Sequence, residues 1–158
     1  MLAISRQTDY ACRILLHLAL KPPATRVTAA EIAEQRLIPP ALIRRIVTSL
    51  AVAGLVKTTR GNTGGITLGR PAAEISLLDV VQALEGPVAL NPCTIAPAGD
   101  PDSCPFIPVC PVHEAWVAAR KTLLRELGET NFARLAQRGT LLGSLTLKED
   151  DKLTPTTF

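Results

Sequence analysis

The sequence predicts a mainly α-helical chain with one small β-hairpin. Three observations carry that expectation. Apolar residues recur at i, i+3, i+4 spacing in several separate stretches. Two short β-prone runs, AGLVKTT and ITLGR, flank the loop RGNTGG. Prolines and capping residues punctuate the boundaries between these stretches.

Residues 6–20 suit a first helix, with Tyr10, Ile14, Leu15 and Leu18 on one face. Lys21-Pro22-Pro23 ends it, because proline lacks the amide donor and restricts the residue before it. Thr28 and Glu31 have capping-box spacing and open a short second helix. The break QRLIPP follows, and Pro39 or Pro40 starts a third helix that runs to about Ala53. Ile43, Ile46, Val47 and Leu50 form its buried face; Ala41, Arg44, Arg45 and Thr48 share the opposite one. Leu55–Thr59 and Ile66–Leu68 are the strands of the hairpin. The loop Arg60-Gly61-Asn62-Thr63-Gly64-Gly65 carries glycines where a tight reversal asks for positive φ. Ser76 and Asp79 repeat the capping-box spacing for a helix that reaches about Leu84 and stops at Gly86.

Three helices followed by a Gly-rich hairpin make a winged helix-turn-helix. A second helix of such a unit with two outward arginines suits the major groove of DNA, since arginine donates in a fork to guanine or phosphate. Arg60 at the wing tip suits the minor groove, where the potential is most negative. Charge agrees with this placement. Residues 1–70 hold ten Lys/Arg against three Asp/Glu, and residues 71–158 hold seven against eleven. The basic half is the one that would face a polyanion.

A long helix begins near Val112, with His113, Trp116, Leu123, Leu124 and Leu127 on one side. An apolar helix outside a small core is expected to pair with its own copy as a homodimer. A short helix over TNFARLAQR follows, and the sequence from Gly139 onward reads as a mobile tail. The organisation expected is therefore a DNA-binding domain over 1–86, a cysteine-rich loop over 87–111, a dimerisation helix region over 112–138 and a tail over 139–158.

Between the helices lies CTIAPAGDPDSCPFIPVCPVH, with Cys93, Cys104 and Cys110 at C-x10-C-x5-C and His113 at C-x2-H. Its prolines deny regular structure, so a bound group is expected to organise it. Thiolates select zinc, copper(I) or iron–sulfur clusters. Paired C-x2-C knuckles, the usual zinc signature, are missing, which favours a cluster. Cys12 differs: it falls within the first helix, where a small core residue is expected.

Composition excludes several classes. The chain is 47% hydrophobic with mean hydropathy +0.23, enough for a core built from aliphatic residues. No apolar run reaches the ~18 residues that span a bilayer. The N-terminus shows no signal-peptide pattern, so a cytoplasmic protein is expected. No catalytic Ser/His/Asp order, carboxylate pair or nucleotide fingerprint is present, so an enzyme is not expected. A small iron–sulfur electron carrier would use the same cysteines but leaves the basic half without a purpose. A zinc or thiol sensor would also use them.

The segments RQTDYACRILLHLA, AEIAEQRLIPPALIRRI and AGLVKTTRGNTGGITLGR, with a cysteine loop before a long helix, resemble the Rrf2 family of bacterial transcription regulators. The resemblance covers residues 1–138. It implies a homodimer whose iron–sulfur cluster sets its affinity for a roughly palindromic operator, in answer to nitric oxide, redox state or iron supply. It implies base-reading positions at Pro39, Ala41 and Arg44, a minor-groove arginine at Arg60, and cluster ligands at Cys93, Cys104 and Cys110. For the fourth ligand, IscR-like members point to His113. NsrR-like members point to Asp9 from the partner subunit, the choice CPFIPVC slightly favours, together with 4Fe–4S over 2Fe–2S. The spacer between Cys93 and Cys104 is longer than the family's usual one.

Overall fold

A computed structural model describes residues 4–61, 64–96 and 104–141. The fold is a winged helix-turn-helix with a long C-terminal helix. α1 (Arg6–Ala19), α2 (Ala29–Gln35) and α3 (Pro40–Val52) precede a hairpin of β1 (Val56–Thr59) and β2 (Gly65–Leu68). α4 (Leu77–Glu85), α5 (Pro111–Glu129) and α6 (Phe132–Leu141) complete it.

The expected boundaries hold to within a residue or two because the stop signals act where they stand. Ser5 caps α1, its hydroxyl accepting the Thr8 amide at 3.3 Å. Thr28 caps α2 through the Glu31 amide at 3.1 Å, but the Glu31 carboxylate turns to Lys21 at 3.2 Å instead of closing the box. Ser76 and Asp79 do close theirs: the hydroxyl accepts the Asp79 amide, and the carboxylate accepts the Ser76 amide at 2.7 Å. Pro39 and Pro40 stand at the N-cap and first position of α3.

The core lies where α1, α3 and α4 meet. Ile14, Leu15 and Leu18 of α1, Ile32 of α2 and the predicted face of α3 (Ile43, Ile46, Val47, Leu50) are buried together. The hairpin pairs in register from Val56–Leu68 to Thr59–Gly65. Ile66 also exchanges two backbone hydrogen bonds with Val27, at 2.8 and 3.1 Å. The wing is thus stitched to the segment just before α2. Gly65 allows that approach, since a Cβ there would press on Arg26 and Val27.

The C-terminal part adds detail that the sequence left open. The short helix expected over TNFARLAQR is α6, which docks on the core. Phe132 is fully buried in the core beside α1, and its amide donates to the Ile75 carbonyl at 3.0 Å. A single large aromatic side chain removes enough apolar surface to dock a short helix. α6 continues to Leu141 and takes in the first residues of the segment expected as a tail; the remainder of that segment lies outside the described residues. α5, by contrast, has no buried residue along its 19 positions.

Candidate functional site

The candidate recognition surface is built on α3. Burial of Ile43, Ile46, Val47 and Leu50 forces the opposite face outward, so Ala41, Arg44, Arg45 and Thr48 are exposed, with Pro39 beside them at the helix start. The Thr48 hydroxyl donates to the Arg44 carbonyl at 2.9 Å, which leaves it as an acceptor toward a ligand. Arg60 is exposed where β1 leaves the sheet. Gly61 has φ 105°, and a Cβ on Gly64 would run into the Thr59 carbonyl, so both glycines are demanded by the turn. Asn62 and Thr63 lie outside the described residues.

The turn between α2 and α3 is held from below. His17 of α1 is 1% exposed, and its Nδ1 accepts the Arg36 Nε–H at 3.0 Å. Arg36 caps α2, and its carbonyl accepts from Arg13 Nη1 at 3.5 Å. Arg13 in turn pairs with Asp9 at 2.7 Å, one helical turn earlier, and stacks over the Tyr10 ring. Asp9 is therefore exposed at the start of α1 and tied, through Arg13, to the helix-turn-helix. Sequence reasoning missed this chain. The i, i+4 spacing of Asp9 and Arg13 signals their ion pair; nothing local pairs His17 with Arg36, nineteen positions apart.

The N-terminal turn of α1 is fixed by the end of α4. The Glu85 carboxylate accepts the Ser5 amide at 2.9 Å and the hydroxyl of buried Thr8 at 2.6 Å. These bonds, Thr8 first, hold its carboxyl below the usual range.

The cysteine segment leaves α4 and returns to α5. Cys93 sits in a 3₁₀ turn, Pro92–Thr94, whose start is capped by the Asn91 side chain. Cys110 is the N-cap of α5, its sulfur accepting the His113 amide at 3.4 Å. His113 Nδ1 lies 3.4 Å from Cys93 Sγ. Two of the predicted thiols thus gather at His113. Arg120 adds a second tie between the segments, donating to the Val88 carbonyl at 2.7 Å. Cys104 is exposed. Among the described residues no three His, Cys, Asp or Glu side chains converge as on a metal ion. The donors still suit an iron–sulfur group: three thiols, two of them half-buried and held beside His113, with an imidazole or carboxylate in reserve. Cys12 is unlike them. Burial first, and then the charge of Asp9, push its thiol up to about 11, so it stays protonated and unreactive.

Residues 4–138 match the Rrf2 family, described as an iron-dependent transcriptional regulator. A protein of Mycobacterium tuberculosis named as an HTH-type transcriptional regulator is 32% identical over 133 residues, spanning 84% of this chain and 80% of that protein. Among solved structures, the global cysteine regulator CymR of B. subtilis superposes with a TM-score of 0.69 at 28% identity, covering 87% of this chain and 98% of CymR. IscR of T. potens shares the fold with a TM-score of 0.70 at 21% identity, covering 92% and 93%.

Proposed function

Because this chain belongs to the Rrf2 family of transcriptional regulators and is not an enzyme, we propose that its affinity for DNA is set by an iron–sulfur cluster on the cysteine segment. The observation that carries this is the meeting of Cys93 and Cys110 at His113. It joins the segment after α4 to the first turn of α5. Cys104 supplies the third thiolate. The fourth ligand is Asp9 of the partner subunit with 4Fe–4S, or His113 with 2Fe–2S. When bound, the cluster supplies a link that nitric oxide, oxidation or iron loss can break.

Two copies pair along the exposed α5, and each offers one α3 to the major groove of a roughly palindromic operator. Pro39, Ala41, Arg44, Arg45 and Thr48 meet base edges and phosphates there. Arg60, with Asn62 and Thr63, meets the minor groove. Asp9 has two states in this scheme. Held by Arg13, it belongs to the network that reaches the Arg36 carbonyl in the turn before α3. Taken as a ligand, it leaves Arg13 without its carboxylate and alters that network.

The test is iron and sulfide content, with visible and Mössbauer spectra, on protein purified without oxygen, before and after nitric oxide. About four irons and four sulfides per chain would make Asp9 the ligand, and about two of each would make it His113. The Cys104→Ala variant should hold neither. The Cys93, Cys110 and His113 grouping equally suits a zinc or thiol sensor; a colourless, iron-free protein with zinc or free thiols would establish that second reading.

A further inference from the structure

We propose that His17 and Arg36 form a proton-sensitive brace under the helix-turn-helix, so that acidification weakens DNA binding. The proposal rests on DNA recognition through α3 and is independent of the cluster. It starts from how Arg36 is used. Its backbone closes α2, its amide bonding the Ile32 carbonyl at 3.0 Å. Next come Leu37 in the left-handed region, Ile38 bonded back to the Ala33 carbonyl at 2.9 Å, and the first residues of α3. The guanidinium of Arg36 reaches under this turn to His17 Nδ1. That bond pins the turn to the inward face of α1.

Such a bond exists in one protonation state. With Nδ1 accepting, the neutral ring carries its proton on Nε2. A second proton would have to go to Nδ1, and Nδ1–H cannot accept from Arg36. It would also bring two cations within 3.0 Å of each other. The charged groups around the ring are Arg36 from the turn, Lys21 from the end of α1 and Glu31 from α2. Glu31 is the one acid among them. Its Oε1 stands 3.9 Å from Nε2 and is already shared with Lys21 at 3.2 Å. Nε2 itself is buried without a hydrogen-bond partner. Two cations and burial therefore outweigh one shared carboxylate, in keeping with a proton affinity lowered chiefly by burial. When the ring is forced to charge, Arg36 must leave, and the turn that aims α3 loses its brace.

The sign of the expected effect is diagnostic. Adding protons to a protein that faces a polyanion ordinarily tightens binding. This brace predicts loosening. Affinity should be measured by fluorescence anisotropy at constant ionic strength from pH 7.5 to 5.5, using a duplex selected from a randomised pool at pH 7.5. The wild-type chain should bind measurably more weakly at pH 5.5 than at pH 7.5. The His17→Gln variant keeps an oxygen that can accept from Arg36 and has no titrating group. It should bind at pH 7.5 like wild type and should not weaken on acidification. Acid loss of a cluster is common to both proteins and cancels in the comparison. In parallel, the histidine ring signals of the wild-type protein should show His17 titrating below its ordinary value, with loss of the Arg36 Nε–H signal over the same range. This second readout needs no variant to fold. Parallel pH profiles for the two proteins, or a His17 that charges while Arg36 stays bonded, would overturn the brace while leaving DNA recognition intact. Failure to select any duplex would sink the DNA reading itself.

Discussion

Leu37 shows what a single residue can conceal. It has φ 51°, a left-handed conformation, and its side chain is 64% exposed. For an L-residue with a Cβ that conformation costs ~1–2 kcal/mol, which little packing offsets here. Asparagine tolerates it because its short side chain can bond locally. The Leu37→Asn variant should therefore be more stable by about 1 kcal/mol, read as a rise of a few degrees in the thermal midpoint. An unchanged or lower midpoint would mean that the exposed leucine contributes packing the chain needs. The sequence offered no warning here, since neither glycine nor asparagine marks position 37. The brace between His17 and Arg36 was hidden for another reason. His17 shares the inward face of α1 with Ile14 and Leu18, so spacing marks it as buried, but its partner arrives through tertiary folding. The exposed residues of α3 were legible because their buried neighbours dictate the opposite face.

At the scale of elements, capping chemistry carried most of what could be read. Asp79 is the clearest instance. Burial alone would raise its carboxyl, but the Ser76 amide and hydroxyl and the Arg70 guanidinium at 3.1 Å together hold it below its ordinary value. The folded state thus binds this proton less readily than the unfolded chain. The stabilisation is present above the unfolded value near 3.9 and is lost as pH falls through the lowered folded one. Asp79→Asn should cost about 1 kcal/mol at pH 7 and distinctly less at pH 3, measured by urea denaturation. An equal cost at both values would assign the effect to shape and not to charge. α6 was less legible. TNFARLAQR is long enough to suggest a helix and too short to say where it docks, a matter decided by Phe132 entering the core. In the cysteine segment, spacing named the thiols, and the Cys110 cap on α5 explains why one of them points inward to His113. The sequence could not show that Cys104 is the exposed one of the three.

For the whole molecule, the unburied α5 is the feature a monomer leaves unexplained. Val112 and Trp116 line an apolar groove of about 470 Å3 with Pro111, Ala115 and Ala119, and Leu123 continues exposed further along. Pairing of two copies would cover this face. A Leu123→Glu variant should shift the protein toward monomer in sedimentation velocity, because each dimer would bury two like charges on its two-fold interface. A variant that stays dimeric would place the interface elsewhere. Such pairing has no local signature beyond a helix with apolar residues and no core to join. That is why the sequence suggested a dimer by spacing alone, through the side of the helix that carries His113, Trp116, Leu123, Leu124 and Leu127.

The two bonds between Val27 and Ile66 join the wing and the helix-turn-helix into one jaw. Under the proposed scheme, a signal from the cysteine segment would move the two together. In a pair of such jaws the adjustable quantity is the opening, as in a caliper. The regulated property would then be the spacing of half-sites the protein accepts, while the bases read within each half-site stay the same.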